Sequence, residues 1–177
     1  DDSSWRLLDV PHDWSFENGC ARNNAQGSNG GYHGGGIGWY RRVFDMPKAW
    51  ESRCVRIEFD GVYMNSEVWI NGHFLGKRPY GYISFGYDLT PYLQPGRNII
   101  AVCVDNSLEP STRWYHGCGI YAPVRLVVTD LVHIAPWGVQ IMTPKISDQE
   151  ATVQVCTEIS SALTNASQAE LVTLLVN

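Results

Sequence analysis

Val55, Ile57 and Phe59 alternate with Arg56, Glu58 and Asp60, and a side-chain period of two suits a strand with one wet face, not a helix. The same texture recurs along the chain. Glu67 to Ile70 and His73 to Leu75 flank Asn71-Gly72, a pair that tolerates positive φ and closes a two-residue hairpin. Phe85, Tyr87 and Leu89 alternate, Pro95-Gly96 makes a turn, and Val124 to Val128 reads as one more strand. In Asn98 to Asp105, Ile100, Val102 and Val104 face one way and Ile99, Ala101 and Cys103 the other, which predicts a strand covered on both sides. Thr90 to Leu93 suits a single helical turn, and no amphipathic helix of useful length precedes residue 130. The expected fold class is all-β, a two-sheet sandwich.

Composition narrows the classes of function. The chain has 177 residues, 44% of them hydrophobic and 18% charged, which excludes intrinsic disorder. Thirteen Lys and Arg against 18 Asp and Glu give a net charge of −5, so a nucleic-acid partner, which needs clustered positive charge, is not expected. No window approaches the roughly 20 apolar residues of a membrane helix, and the chain reads as soluble. Five scattered cysteines without a C-x-x-C pair are expected to be mostly buried thiols. No two histidines lie at ligand spacing, so neither a metal nor another cofactor is expected. Gly27 to Gly38, with seven glycines, reads as a loop and lacks the Lys-Ser/Thr of a phosphate cradle.

Beyond His133 the texture changes. Pro136-Trp137-Gly138, Pro144 and Asp148-Gln149 punctuate strands expected at Val139 to Met142, Ala151 to Ile159 and Glu170 to Val176. Three strands are too few to bury a face of their own. The expected organisation is one domain over residues 1–133 and the opening of a second β domain over residues 134–177.

Aromatic residues make up 12% of the chain, and Trp5, Trp14, Trp39, Tyr40, Trp114, Tyr115 and Tyr121 are placed in loops. They either plug sheet ends or offer ring faces on which the C–H faces of sugars stack. The motifs are more specific. Val10-Pro11-His12-Asp13-Trp14, Gly36-Ile37-Gly38-Trp39-Tyr40-Arg41-Arg42-Val43-Phe44, the run Phe59 to Gly72, Tyr80-Gly81-Tyr82, Tyr87-Asp88-Leu89-Thr90 and Arg113-Trp114-Tyr115 with Gly119-Ile120-Tyr121 together resemble the amino-terminal domain of family 2 glycoside hydrolases. The form of the first and last of these is most similar to bacterial β-galactosidases.

That resemblance implies a jelly-roll, galactose-binding-like sandwich, followed by the start of an immunoglobulin-like sandwich and then a catalytic barrel. Retaining glycoside hydrolysis needs two carboxyl groups about 5 Å apart. In this family both come from the barrel, so the 177 residues alone are expected to be non-catalytic. Glu67, on a hairpin strand, is expected to be structural. The resemblance places Asp13 and Arg113 at the sugar, a carboxylate accepting from hydroxyls and a guanidinium donating in a fixed fork, with Trp114 beside them for stacking or domain packing. The rival reading has Asp13 capping a turn and Arg113 paired with it. His12 is expected to orient its loop.

Ala122-Pro123 departs from the Arg common at this position, and Pro123 predicts a strand start or an edge. The implied partners are a β-galactoside or related glycan, the barrel, and a second copy of the chain through an unpaired edge. The alternatives are a free-standing carbohydrate-binding or oligomerisation module and membership in a β-glucuronidase or β-mannosidase. Many bacterial members of the family are exported, so the expected setting is the periplasm or the cell exterior.

Overall fold

The computed structural model describes residues 2–24, 26–108, 116–165 and 168–176. The chain divides into two compact units, one of residues 1–51 and 55–127 and one of residues 52–54 and 128–177. Among the described residues nine strands dominate: β1 (Gly36–Met46), β2 (Cys54–Phe59), β3 (Ser66–Ile70), β4 (His73–Arg78), β5 (Phe85–Asp88), β6 (Gly96–Asn106), β7 (Val124–Thr129), β8 (Val132–Ile146) and β9 (Ala151–Ser161). The fold is all-β.

The first unit is a sandwich of one sheet in the order β1-β6-β3-β4 and another in the order β5-β2-β7. Alternation decides the inside. Val55, Ile57 and Phe59 of β2, Val68 and Ile70 of β3, and Ile100, Val102 and Val104 of β6 are buried with Phe85 and Leu89. The Phe59 and Phe85 rings stack with centroids 5.0 Å apart. The expectation that β6 is covered on both sides is corrected. Ile99, Ala101 and Cys103 are only half-buried, because among the described residues no helical layer lies over the antiparallel sheet's outer face.

The β3–β4 hairpin turns at Asn71 (φ 49°) and Gly72 (φ 84°), as the Asn-Gly pair predicts. Glu67, opposite Lys77 in the register, accepts a 2.9 Å hydrogen bond from its Nζ, which gives this carboxylate a cross-strand structural role. Strand β7 begins directly after Pro123 and lies at a sheet edge. The glycine-rich stretch divides: Gly27–Gly30 forms a short 3-10 turn, while Gly36 and Gly38 belong to β1. Trp39 and Tyr40 therefore stand on a strand, not in a loop. The thiols are also less buried than expected. Of the five only Cys118 is buried; Cys20 and Cys156 are exposed.

In the second unit, β8 and β9 pair as one long antiparallel hairpin. The Pro136-Trp137-Gly138 and Pro144 breaks do not end strands. They fall where the register shifts, between Ile134 and Val139 and between Met142 and Lys145, since proline cannot donate to a ladder and is tolerated at bulges. Residues 170–176, expected as a third strand, carry no strand pairing in the described structure. Among the described residues no helix is long and apolar enough to cross a membrane.

Candidate functional site

Three sequence-distant segments meet at one rim of the sandwich. His12 N donates to the Ile120 carbonyl at 2.7 Å and Trp14 N to the Cys118 carbonyl at 3.1 Å. On its other side the same segment bridges Tyr63, with Gly119 and Tyr63 exchanging two 3.0 Å backbone hydrogen bonds. The Gly119-Ile120-Tyr121 signature is thus threaded between the Pro-His-Asp-Trp segment and the Phe59–Gly72 run. Only glycine fits its centre. Gly119 has φ +123°, and a Cβ there would lie 2.3 Å from the Tyr40 hydroxyl and 2.6 Å from the His12 carbonyl.

Asp13 has extended backbone and caps the four-residue helix α1 (Trp14–Glu17). Its Oδ1 accepts from Ser15 N at 3.0 Å, Ser15 Oγ at 2.9 Å, Phe16 N at 3.2 Å and, across the rim, Cys118 N at 3.0 Å. One carboxylate oxygen thereby satisfies donors at the helix start and ties the two signature segments together. Arg113 and Trp114 lie outside the described residues. On the Tyr63 flank, Tyr82 Oη lies 2.6 Å from His116 Nδ1, the Tyr63 and His116 rings stack at 5.3 Å, and Tyr121 Oη donates to the Gly81 carbonyl at 2.8 Å.

Side chains alternate along an extended segment, so His12 and Trp14 project away from the Asp13 carboxylate. There they line an open groove of about 560 Å³ with Trp5, Arg6, Trp39 and Tyr40. Gly38 permits it: a Cβ at Gly38 would sit 2.5 Å from the Trp14 ring. His12 Nδ1 lies 2.8 Å from Tyr40 Oη, and its Nε2 lies 3.0 Å from Glu17 Oε2 and 2.9 Å from Arg6 Nη2. Arg6 Nη1 donates to Glu17 Oε1 at 2.7 Å, and Arg6 Nη2 pairs with Oε2. These bonds, from Arg6 first and His12 second, hold the Glu17 carboxyl down to about 2. Burial pushes the Tyr40 phenol up to about 12 against an opposing backbone hydrogen bond at Ile120, so it stays a neutral donor and acceptor.

His12 therefore does orient its loop, by joining α1 to β1. Sequence reading missed Arg6 and Glu17; the acidic residue in a helical turn just after Asp13 was the available signal. Among the described residues no three His, Cys, Asp or Glu side chains gather as metal ligands. The rim carries polar groups able to fix hydroxyls and ring faces able to stack.

Comparison with known proteins agrees with this geometry. The family described as "Glycosyl hydrolases family 2, sugar binding domain" matches residues 29–129. A Formosa agariphila protein provisionally named a beta-glucuronidase is 61% identical over 162 residues, covering 92% of this chain and 16% of its own length. Beta-galactosidase BoGH2A of Bacteroides ovatus is 50% identical over 159 residues, covering 89% of this chain and 19% of its own. The crystal structure of a beta-glycosidase from Bacteroides vulgatus superposes with a TM-score of 0.87 at 49% identity, over 93% of this chain and 22% of that one. This chain thus spans no more than about a fifth of the length of these relatives. The matched sandwich, its threaded rim and these likenesses place the chain in glycosyl hydrolase family 2, as a member of its sugar-binding domain family.

Proposed function

We propose that the chain is the amino-terminal, non-catalytic portion of a family 2 β-glycosidase acting on β-galactosides, in which it completes the sugar subsite and supports a catalytic barrel. In this reading residues 1–133 are the sugar-binding domain and residues 134–177 open an immunoglobulin-like one. The observation that carries it is the rim: Asp13 is hydrogen-bonded to Cys118, five residues from Arg113. Two signature segments far apart in sequence thus converge, and Asp13, Arg113 and Trp114 would share one sugar ring. Asp13 would act as cap and sugar acceptor at once, since a carboxylate has about four lone-pair sites.

A β-glucuronidase is the second reading, favoured by the name of the 61% identical relative; Arg113 would then meet a sugar carboxylate in a bidentate pair. The test is hydrolysis of nitrophenyl β-galactoside and β-glucuronide by the enzyme that contains this chain. Arg113→Ala should lower kcat/KM on the preferred glycoside about 10- to 100-fold, the effect of an unpaired buried partner. Wild-type kcat/KM in that variant on both glycosides would end the subsite reading.

A further inference from the structure

We propose that the free edge of strand β1 is a self-association surface, on which a second copy of the chain pairs antiparallel about Val43 to make one sheet continuous through both copies. This contact is separate from the rim and does not depend on the function proposed above.

Among the described residues, β1, β4, β5 and β7 are the edge strands of the first unit. Exposed edges invite pairing, and folds blunt them with short strands, bulges, prolines or charge. Strand β4 has six residues, a register shift against β3 and two cations, Lys77 and Arg78. Strand β5 has four residues, and β7 has six directly after Pro123. Strand β1 is different. It runs for 11 residues without a proline and without a register shift against β6.

The backbone groups that face outward follow from β6. The Ile99 carbonyl accepts from Asn71 N and the Ile99 amide donates to Asn71 Oδ1, each at 2.9 Å, so Ile99 uses its groups on the β3 side. Bonding direction alternates along a strand. Asn98 and Ile100 therefore bond toward β1, where Phe44 and Arg42 stand opposite them. The amides and carbonyls of Arg41, Val43 and Asp45 are left pointing to the open edge, and no described group bonds to them.

The side chains fit a two-fold axis through Val43. Antiparallel pairing centred there sets Arg41 opposite Asp45 of the second copy, and Asp45 opposite its Arg41. Val43, 38% exposed, meets its own equivalent. Asp45 already stands opposite Arg97 in the β1–β6 register, so the new pairing extends a row of alternating charge on the sheet's outer face. Arg41 also pairs with Asp2, and its five donors leave room for a second carboxylate. An axis moved to Arg41 or Arg42 would set guanidinium against guanidinium. The charges of this edge thus select one register instead of repelling a copy.

Sedimentation velocity on the natural polypeptide that contains this chain, run from about 1 to 200 µM, tests the contact; reversible association is expected with a Kd on the order of 10–100 µM, as for small interfaces. Arg41→Asp and Asp45→Arg should each weaken it about tenfold or more, with circular dichroism and melting close to wild type. An equimolar mixture of the two should associate as wild type does, because opposite charges again face each other at both contacts. Val43→Pro removes an N–H that faces solvent in the single copy and should abolish association without unfolding the chain. A wild type that is monomeric throughout would overturn the proposal. So would association that both charge variants leave intact, which would move the contact to another surface such as the β8–β9 hairpin, and so would weakening that the mixture does not repair.

Discussion

Strands β2 and β9 obey the same local rule and meet different fates. In β2 every second residue is buried, Phe59 to 1% exposure. In the β8–β9 hairpin Ile141 is 66% exposed, and Ala135 is the one buried apolar residue of the second unit among those described. Both pair in antiparallel ladders, so hydrogen bonding does not distinguish them. Among the described residues, the first unit sets a second sheet against its apolar face and the β8–β9 hairpin does not. The difference teaches that alternation is sufficient for strand pairing and insufficient for a core.

The sharpest way to break this comparison is to truncate one apolar residue in each region. Phe59→Ala should destabilise the first unit by about 3–5 kcal/mol in urea denaturation, and Ile141→Ala should change stability by less than about 0.5 kcal/mol. Equal losses would mean the hairpin is as well packed as the sandwich. A smaller contrast is expected at the turns. Asp13→Ala removes a helix cap and the acceptor for Cys118 N, with a loss of about 1–2 kcal/mol. Ser147→Ala, which removes the Oγ acceptor for Gln149 N and Glu150 N in the β8–β9 turn, should lose no more than about 0.5–1 kcal/mol.

Acid sensitivity gives the smallest effect and belongs to the first unit. Glu17 is held to about 2 when folded, against about 4.3 in an unfolded chain. Because the folded value is the lower one, its contribution is fully present above the unfolded value and disappears as pH falls toward 2. Melting temperature measured between pH 5 and 2 should fall less steeply in Glu17→Gln than in wild type. Parallel curves would show that the Arg6–Glu17 pair is screened away by solvent.

Much of the frame was legible because it is local. Val55-Ile57-Phe59 announced a half-buried strand, Asn71-Gly72 a hairpin, and Pro123 a strand start at an edge. Reading failed where burial depends on what lies opposite. Ile99, Ala101 and Cys103 look like core residues in sequence, yet they are only half-buried, since among the described residues no second sheet meets their face of β6. Trp39 and Tyr40 follow a run of glycines and so read as a loop, although their ladder partners Cys103 and Val102 lie some sixty residues away. At the site, the turn cap at Asp13 was legible as the rival reading of its carboxylate, but its bond to Cys118 N was not, since that donor is 105 positions away.

From the residues alone came the all-β class, the turns, the absence of clustered positive charge and the likeness to family 2 glycoside hydrolases, all carried by nearest neighbours and short motifs. Tertiary structure alone decided that the closing signature lies between the first motif and Tyr63, and that Arg6, Glu17, His12 and Tyr40 form one hydrogen-bonded chain beside an open tryptophan groove. The reason is that a side chain's period selects its face of a sheet, while long-range pairing and packing choose its neighbours.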